Sequence, residues 1–123
     1  MIVRSPFPDV SIPGLTVPAF VLARARDLGD RPALIEGNTG QTITYTQLAE
    51  GAERVAASLF ERGFRAGDVI GIFSPNMPEF AFAFYGTLSA GCIVTTVSPL
   101  ATEKDLVSQL GDAARAQSSP SPP

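Results

Sequence analysis

A chain of 123 residues has room for one small domain and not for two. Its net charge of −3 gives no basic footprint for nucleic acid, and the absence of histidine together with a single cysteine removes His-based catalysis, an internal disulfide and a Cys/His metal cluster. Charged residues make up only 17% against 45% apolar, which is more surface meant for burial than a free-standing small domain carries.

Along the chain, Met1-Ile2-Val3-Arg4-Ser5-Pro6 lacks the basic region, apolar stretch and small-residue cleavage site of a signal peptide, so a cytoplasmic location is expected. Pro6, Pro8 and Pro13 predict an extended arm over 1–15, because each proline fixes its own φ and disfavours helix in the residue before it. Thr16 is placed to cap a helix over 17–28 with Pro18 in its first turn, Phe20, Val21, Ala25 and Leu28 on one face, and Gly29 at its end. Ala33–Glu36 and Gln41–Tyr45 flank the turn-forming run Gly37-Asn38-Thr39-Gly40 and predict a β-hairpin.

Thr46 is expected to cap the next helix. Leu48, Ala52, Val55, Ala56, Leu59 and Phe60 recur there at intervals of three and four, with Glu50 and Arg54 one turn apart outside. Gly63 suits a left-handed stop with Phe64 folding back, and Arg62 favours the negative helix end. Val69–Phe73 is apolar without alternation, the pattern of a strand covered on both faces in a parallel sheet. Asn76 with Glu79, and Pro78 between them, predict a capped helix over 77–90 stopped by Gly91. Ile93–Val97 then returns as a parallel strand through a right-handed crossover. Thr102 with Asp105 opens a short helix that carries Leu106, Val107 and Leu110 and ends at Gly111, and the Ser/Pro-rich composition of 113–123 predicts a disordered tail. Residues 80–102 hold no charge, but Gly86, Gly91, Pro99 and the switch of period at Gly91 read as an α/β core and not a membrane span.

Several stretches carry a family likeness, in order. They are Asp30-Arg31-Pro32-Ala33-Leu34-Ile35, Ile43-Thr44-Tyr45-Thr46-Gln47-Leu48, Ser74-Pro75-Asn76-Met77-Pro78-Glu79-Phe80 and Leu88-Ser89-Ala90-Gly91-Cys92-Ile93-Val94-Thr95-Thr96-Val97-Ser98-Pro99-Leu100. Over residues 2–112 the chain resembles the opening of the adenylate-forming ligases. The arm Arg4-Ser5-Pro6-Phe7-Pro8-Asp9-Val10-Ser11-Ile12-Pro13 points to the 4-coumarate and fatty acyl-coenzyme A branch. It departs at Ser98, where that branch commonly has Asn, and at Ala101, where it has an aromatic residue.

The resemblance implies an α/β fold: residues 16–112 as part of the ligase N-terminal domain, a parallel strand pair with flanking helices plus a small hairpin. It also implies a parent activity in which ATP and Mg²⁺ convert a carboxylate to an acyl-adenylate and coenzyme A takes the acyl group. Aryl and fatty acids are equally compatible. The family's phosphate loop, Ser/Thr/Gly-rich and ending in Pro-Lys-Gly, does not occur in this chain, nor does its catalytic lysine in a mobile C-terminal domain. The single lysine, Lys104, reads as a solvated side chain on a surface helix.

No catalytic, cofactor-binding or metal residue is therefore assigned, and the expectation is a truncated N-terminal piece, inactive alone, produced by a premature stop, a frameshift or a gene-model error. Asn76 is better explained as a cap than as a ligand group, and Cys92 as core packing than as a nucleophile without a base. Phe80, Phe82, Phe84 and Tyr85 read as a helix buried on more than one side. The alternative class is an interaction module that docks through the open edge of its incomplete sheet, or self-associates through exposed apolar surface.

Overall fold

The parallel pair expected from the unalternating apolar run is the centre of the molecule. In the computed structural model, which describes residues 6–118, β3 (Val69–Phe73) and β4 (Ile93–Val97) pair in parallel with Val69 opposite Ile93 and Phe73 opposite Val97. Between them runs α4 (Pro78–Ser89), and Gly91, at φ 77°, turns the chain back into β4. Only a residue without a Cβ adopts that conformation cheaply.

Side chains alternate across the strands. Gly71 and Thr95 face α5 (Glu103–Ser118), where Leu110 lies over Gly71 and Gln109 bonds Thr95. Ile70, Ile72 and Val94 point to the opposite face, toward the connecting helix α4. The sheet thus sits between α5 and α4, and α4 in turn packs against α3 (Tyr45–Glu61), the most extensive helix contact in the fold. Two glycines allow that approach: a Cβ on Gly51 would sit 2.7 Å from the Phe82 ring, and one on Gly86 would sit 2.5 Å from Val55 Cβ.

The hairpin forms as read, from β1 (Pro32–Ile35) and β2 (Thr42–Thr44), with an irregularity between Pro32 and Leu34 where proline has no N–H to give. Its turn is tied by the Glu36 carboxylate, which accepts the N–H groups of Asn38 and Thr39. The Thr39 hydroxyl first, and then these N–H groups, hold the Glu36 carboxyl below the usual glutamate range.

At the hairpin's end the expected cap is displaced by two residues. Thr44, not Thr46, caps α3, and Tyr45 begins the helix where a strand end was expected. Thr44 Oγ1 accepts the Gln47 N–H at 3.2 Å, while Gln47 Oε1 accepts the Thr44 N–H at 2.9 Å. Tyr45 and Thr46 give their N–H groups to the carbonyls of Arg31 and Gly29. The first orphan donors of α3 are thereby satisfied by the hairpin base itself. Thr44→Ala is expected to lower stability by ~1 kcal/mol, read as a shift of the urea midpoint at unchanged slope.

The other end of α3 is a double-bonded glycine stop: Gly63 at φ 94° donates to Phe60 O, and Phe64 donates to Leu59 O. While Arg62 is the cap residue, the last carbonyls are met by the Arg65 side chain. Its Nη1 donates to Phe60 O at 2.9 Å and Phe64 O at 2.7 Å, and its guanidinium lies 4.3 Å from the centre of the Phe60 ring. The expected Glu50–Arg54 pair is present at 3.7 Å, largely in solvent, and is worth at most about a few tenths of a kcal/mol, as exposed one-turn pairs are.

Three further expectations change. The helix over 17–28 is broken into α1 (Val17–Leu22) and α2 (Ala25–Leu28), because α1 packs on α4 and α2 on α3. Thr16 does cap α1, accepting the Ala19 N–H, but Phe20 and Val21 stay exposed while Pro18 and Ala25 are buried. The last helix does not stop at Gly111. Opened by the reciprocal Thr102–Asp105 bonds that the sequence suggests, α5 continues through Gly111 to Ser118, so the part of the expected tail up to Ser118 is helical, and 119–123 lie outside the described residues. The arm holds no helix or strand over 6–15, and residues 1–5 lie outside the described residues. Among the described residues no helix is long and apolar enough to cross a membrane.

Candidate functional site

Ligands of parallel α/β sheets sit outside the C-terminal ends of the strands. Here that edge is formed by Ser74-Pro75-Asn76 after β3 and Ser98-Pro99-Leu100 after β4. Both serines are occupied locally. Ser74 Oγ donates to Pro75 O at 3.1 Å, while Ser98 Oγ accepts the Leu100 N–H at 3.2 Å and Ser98 O accepts the Ala101 N–H at 2.9 Å. A serine at 98 thus closes by its hydroxyl the kind of side-chain turn that asparagine also makes, so the departure from the family pattern leaves the turn intact.

Asn76 is not the cap of α4. Pro78 takes the first helical position, which makes Met77 the cap, and Met77 has no side-chain acceptor; Phe80 N–H bonds the Met77 carbonyl instead. Asn76 is left on the wall of a groove of about 340 Å³ between the hairpin and the start of α4, with Leu34, Ile35, Glu36, Met77 and Phe80 around it. Its walls are mainly apolar, and its one ionised group is the Glu36 carboxylate, already bound into its own turn. A triphosphate would meet that negative charge there, with the Asn76 amide as the one donor among the lining side chains.

The remaining candidates lie apart. Lys104 is exposed on α5. Asp105, held below the usual aspartate range chiefly by the Thr102 hydroxyl, is part of a helix cap. No group of three or more His, Cys, Asp or Glu side chains capable of holding a metal exists among the described residues. Phe80 stacks on Phe84 at 6.1 Å and Phe84 meets Tyr85 edge-on at 5.5 Å, both beside Leu34 of the hairpin, while Phe82 points to Gly51 of α3. The aromatics therefore cement α4 on two sides, as their spacing suggests.

Cys92 is buried at the start of β4, with its Sγ donating to the Arg65 carbonyl at 3.4 Å. Burial pushes its pKa up, and the nearby Asp68 charge adds to the rise. Alkylation of the native chain by iodoacetamide near neutral pH is expected to run at least about tenfold slower than in urea, since the thiolate is the nucleophile and both its formation and its access are suppressed. A native rate equal to the denatured one would show that the corner around Arg65 is open.

The residues passed over in the sequence, Gln47, Arg65 and Gln109, prove to be structural. Gln47 was visible as the fourth position of a Thr-x-x-Gln capping box; Arg65 and Gln109 carry no sequence signal, because their partners are carbonyls set by tertiary packing. At the strand ends the Ser74 and Ser98 hydroxyls bond within their own loops, and the one lysine, Lys104, lies on α5.

Comparisons bear on the scaffold. A family model described as AMP-binding enzyme matches residues 21–116. The 4-coumarate–CoA ligase 3 of Arabidopsis thaliana is 38% identical over 110 residues, which are 89% of this chain and 20% of that protein. The 4-coumarate–CoA ligase 1 of Petroselinum crispum is 37% identical over 111 residues, again 89% of this chain and 20% of the relative. The chain thus spans about a fifth of the length of the curated relatives it matches. Among solved structures, the N-terminal subdomain of Klebsiella oxytoca NpsA, in complex with 3-hydroxyanthranilyl-AMSN, superposes with a TM-score of 0.75 at 26% identity, covering 80% of this chain and 25% of that one. With the hairpin-to-helix junction, the parallel pair and its crossover all in place, the chain belongs to the AMP-binding enzyme family of adenylate-forming ligases.

Proposed function

We propose that these residues are the opening segment of an ATP-dependent acid–thiol ligase of the 4-coumarate or fatty acyl-coenzyme A type, and that the 123-residue chain forms no acyl-adenylate by itself. The observation that carries the first half is likeness to 4-coumarate–CoA ligases over nearly the whole chain, against a fifth of each relative. The second half rests on chemistry. Adenylation needs donors around a triphosphate and a cation on the pentavalent phosphorus, and this sequence has neither a Ser/Thr/Gly-rich loop followed by lysine nor a lysine other than Lys104.

In this reading the segment contributes form. The hairpin seats α3, α3 positions α4, and α4 sets the parallel pair, which leaves a strand edge on which the nucleotide-binding part of a ligase can be built. ATP, Mg²⁺, coenzyme A and the carboxylic acid belong to that larger assembly.

The test is acid-dependent exchange of pyrophosphate into ATP. The purified chain is expected to give none with 4-coumarate or long-chain fatty acids, while the DNA downstream of its reading frame is expected to encode the phosphate loop. Enzyme-like exchange by the chain alone would overturn the inactivity, and downstream DNA with no such loop in any frame would overturn the parentage.

A further inference from the structure

The two edges of the parallel sheet are treated differently by the rest of the fold. Ile93 N–H bonds Asp68 O at 2.8 Å, and this fixes the phase of the ladder: Ile93, Thr95 and Val97 turn their backbone groups toward β3, so those of Val94 and Thr96 point to the outer edge of β4. One of these outer groups is taken by a side chain. Gln109 of α5 reaches over the sheet and donates through Nε2 to Thr96 O at 2.7 Å and to Thr95 Oγ1 at 2.9 Å. The reach is set by Gly71: a Cβ there would stand 2.7 Å from Leu110 Cδ2, so the missing side chain lets α5 settle onto the strands and bring Gln109 to the edge.

We propose that Gln109 is an edge guard, which keeps β4 from pairing with β4 of a second copy of this chain. The occupant follows from the strand itself. Ile-Val-Thr-Thr-Val is β-branched throughout, without proline, in the middle of a charge-free stretch from Phe80 to Thr102, so two copies meet with no like-charge repulsion. Laid antiparallel about Thr95, the strand is complementary to itself. Ile93 falls opposite Val97 of the second copy, and Val94 and Thr96 exchange both backbone bonds with Thr96 and Val94 of the second copy. The Thr96 carbonyl takes part in both exchanges, and it is the group that Gln109 occupies. A long, uncharged edge is a template for association unless something blocks it, and here the block is one side-chain amide.

The test uses the 123-residue chain in sedimentation over a dilution series. Gln109→Leu keeps the volume over the sheet and removes the donor; its half-association concentration is expected to fall about tenfold below that of the parent, the factor that freeing the exposed Thr96 carbonyl on both copies supplies. The double variant Gln109→Leu/Thr96→Lys, which puts a charge on the exposed edge, is expected to return to the parental value. In the parent, a scalar coupling across the hydrogen bond from Gln109 Nε2 to the Thr96 carbonyl is expected by NMR. Unchanged association in Gln109→Leu overturns the proposal, as does association of the double variant as strong as that of the single one. Should Gln109→Leu fail to fold, the parental coupling decides: its presence supports the guard and its absence overturns it.

Discussion

Gly86→Ala lowers the stability of the chain by about 2–3 kcal/mol, or prevents folding, although the same change on an exposed helix face would raise stability by up to about 1 kcal/mol. The expected sign comes from space. A Cβ at Gly86 would stand 2.5 Å from Val55 Cβ, 2.6 Å from Val55 Cγ1 and 2.8 Å from the Ala52 carbonyl, so α3 and α4 must part along their whole contact. Neither obstacle is the end of a flexible side chain. Val55→Ala therefore does not rescue, since the clashing atom is the Cβ that alanine keeps. Urea denaturation followed by circular dichroism measures the loss. A Gly86→Ala chain as stable as the parent would mean that the two helices do not cross this closely.

Leu48→Ala is the second large loss, about 2–4 kcal/mol, the range for truncating a buried leucine where the surroundings cannot collapse into the gap. Leu48 is only 5% exposed and belongs to a short set of buried apolar side chains that also includes Ile43, Ala52, Ile72 and Val97. A small domain with so few core members has little stability in reserve, so the variant is expected to be largely unfolded at 37 °C while Gln47→Glu, at the exposed capping position, is close to neutral. The urea midpoints of the two variants, measured side by side, check the contrast. If Leu48→Ala shifted the midpoint no more than Gln47→Glu, the hairpin-to-helix junction would not be the core it is described to be.

The parts of this fold that were legible in the sequence are those fixed by periodicity and glycine. The recurrence of Leu48, Ala52, Val55 and Leu59 gave α3, the unbroken apolar run gave β3, and Gly63 and Gly91 marked stops that the left-handed φ values bear out. What was not legible depends on which of two similar signals wins in space. Thr44 and Thr46 are both competent caps, and the carbonyls of Gly29 and Arg31, waiting for the N–H groups of Thr46 and Tyr45, decide for Thr44. Asn76 looked like a cap until Pro78 fixed the helix start one residue after Met77. Gly111 looked like an end, but a helical glycine costs only about 1 kcal/mol relative to alanine, and α5 is anchored to the sheet just before it by Gln109 and Leu110. Leaving every side chain unassigned to chemistry was a reading of what the sequence lacks; of the polar groups at the strand ends, Ser74 and Ser98 bond within their own loops while Asn76 lines the groove beside the hairpin.

The corner between α3 and β3 has a bearing on the order of events during synthesis. Phe64 to Leu59, Gly63 to Phe60, Arg65 to Asp68 and the Arg65 guanidinium to Phe60 and Phe64 are all bonds between residues a few positions apart. Contacts of such short sequence separation close fastest and with the least loss of chain entropy. The corner can be set, and the direction of β3 with it, while Cys92 and the whole of β4 are still inside the ribosome; at about 5–20 residues per second that is a lead of seconds. Growth of the sheet then begins from a strand already aimed, and the thiol of Cys92 arrives later, just ahead of β4, onto an Arg65 carbonyl that is waiting for it.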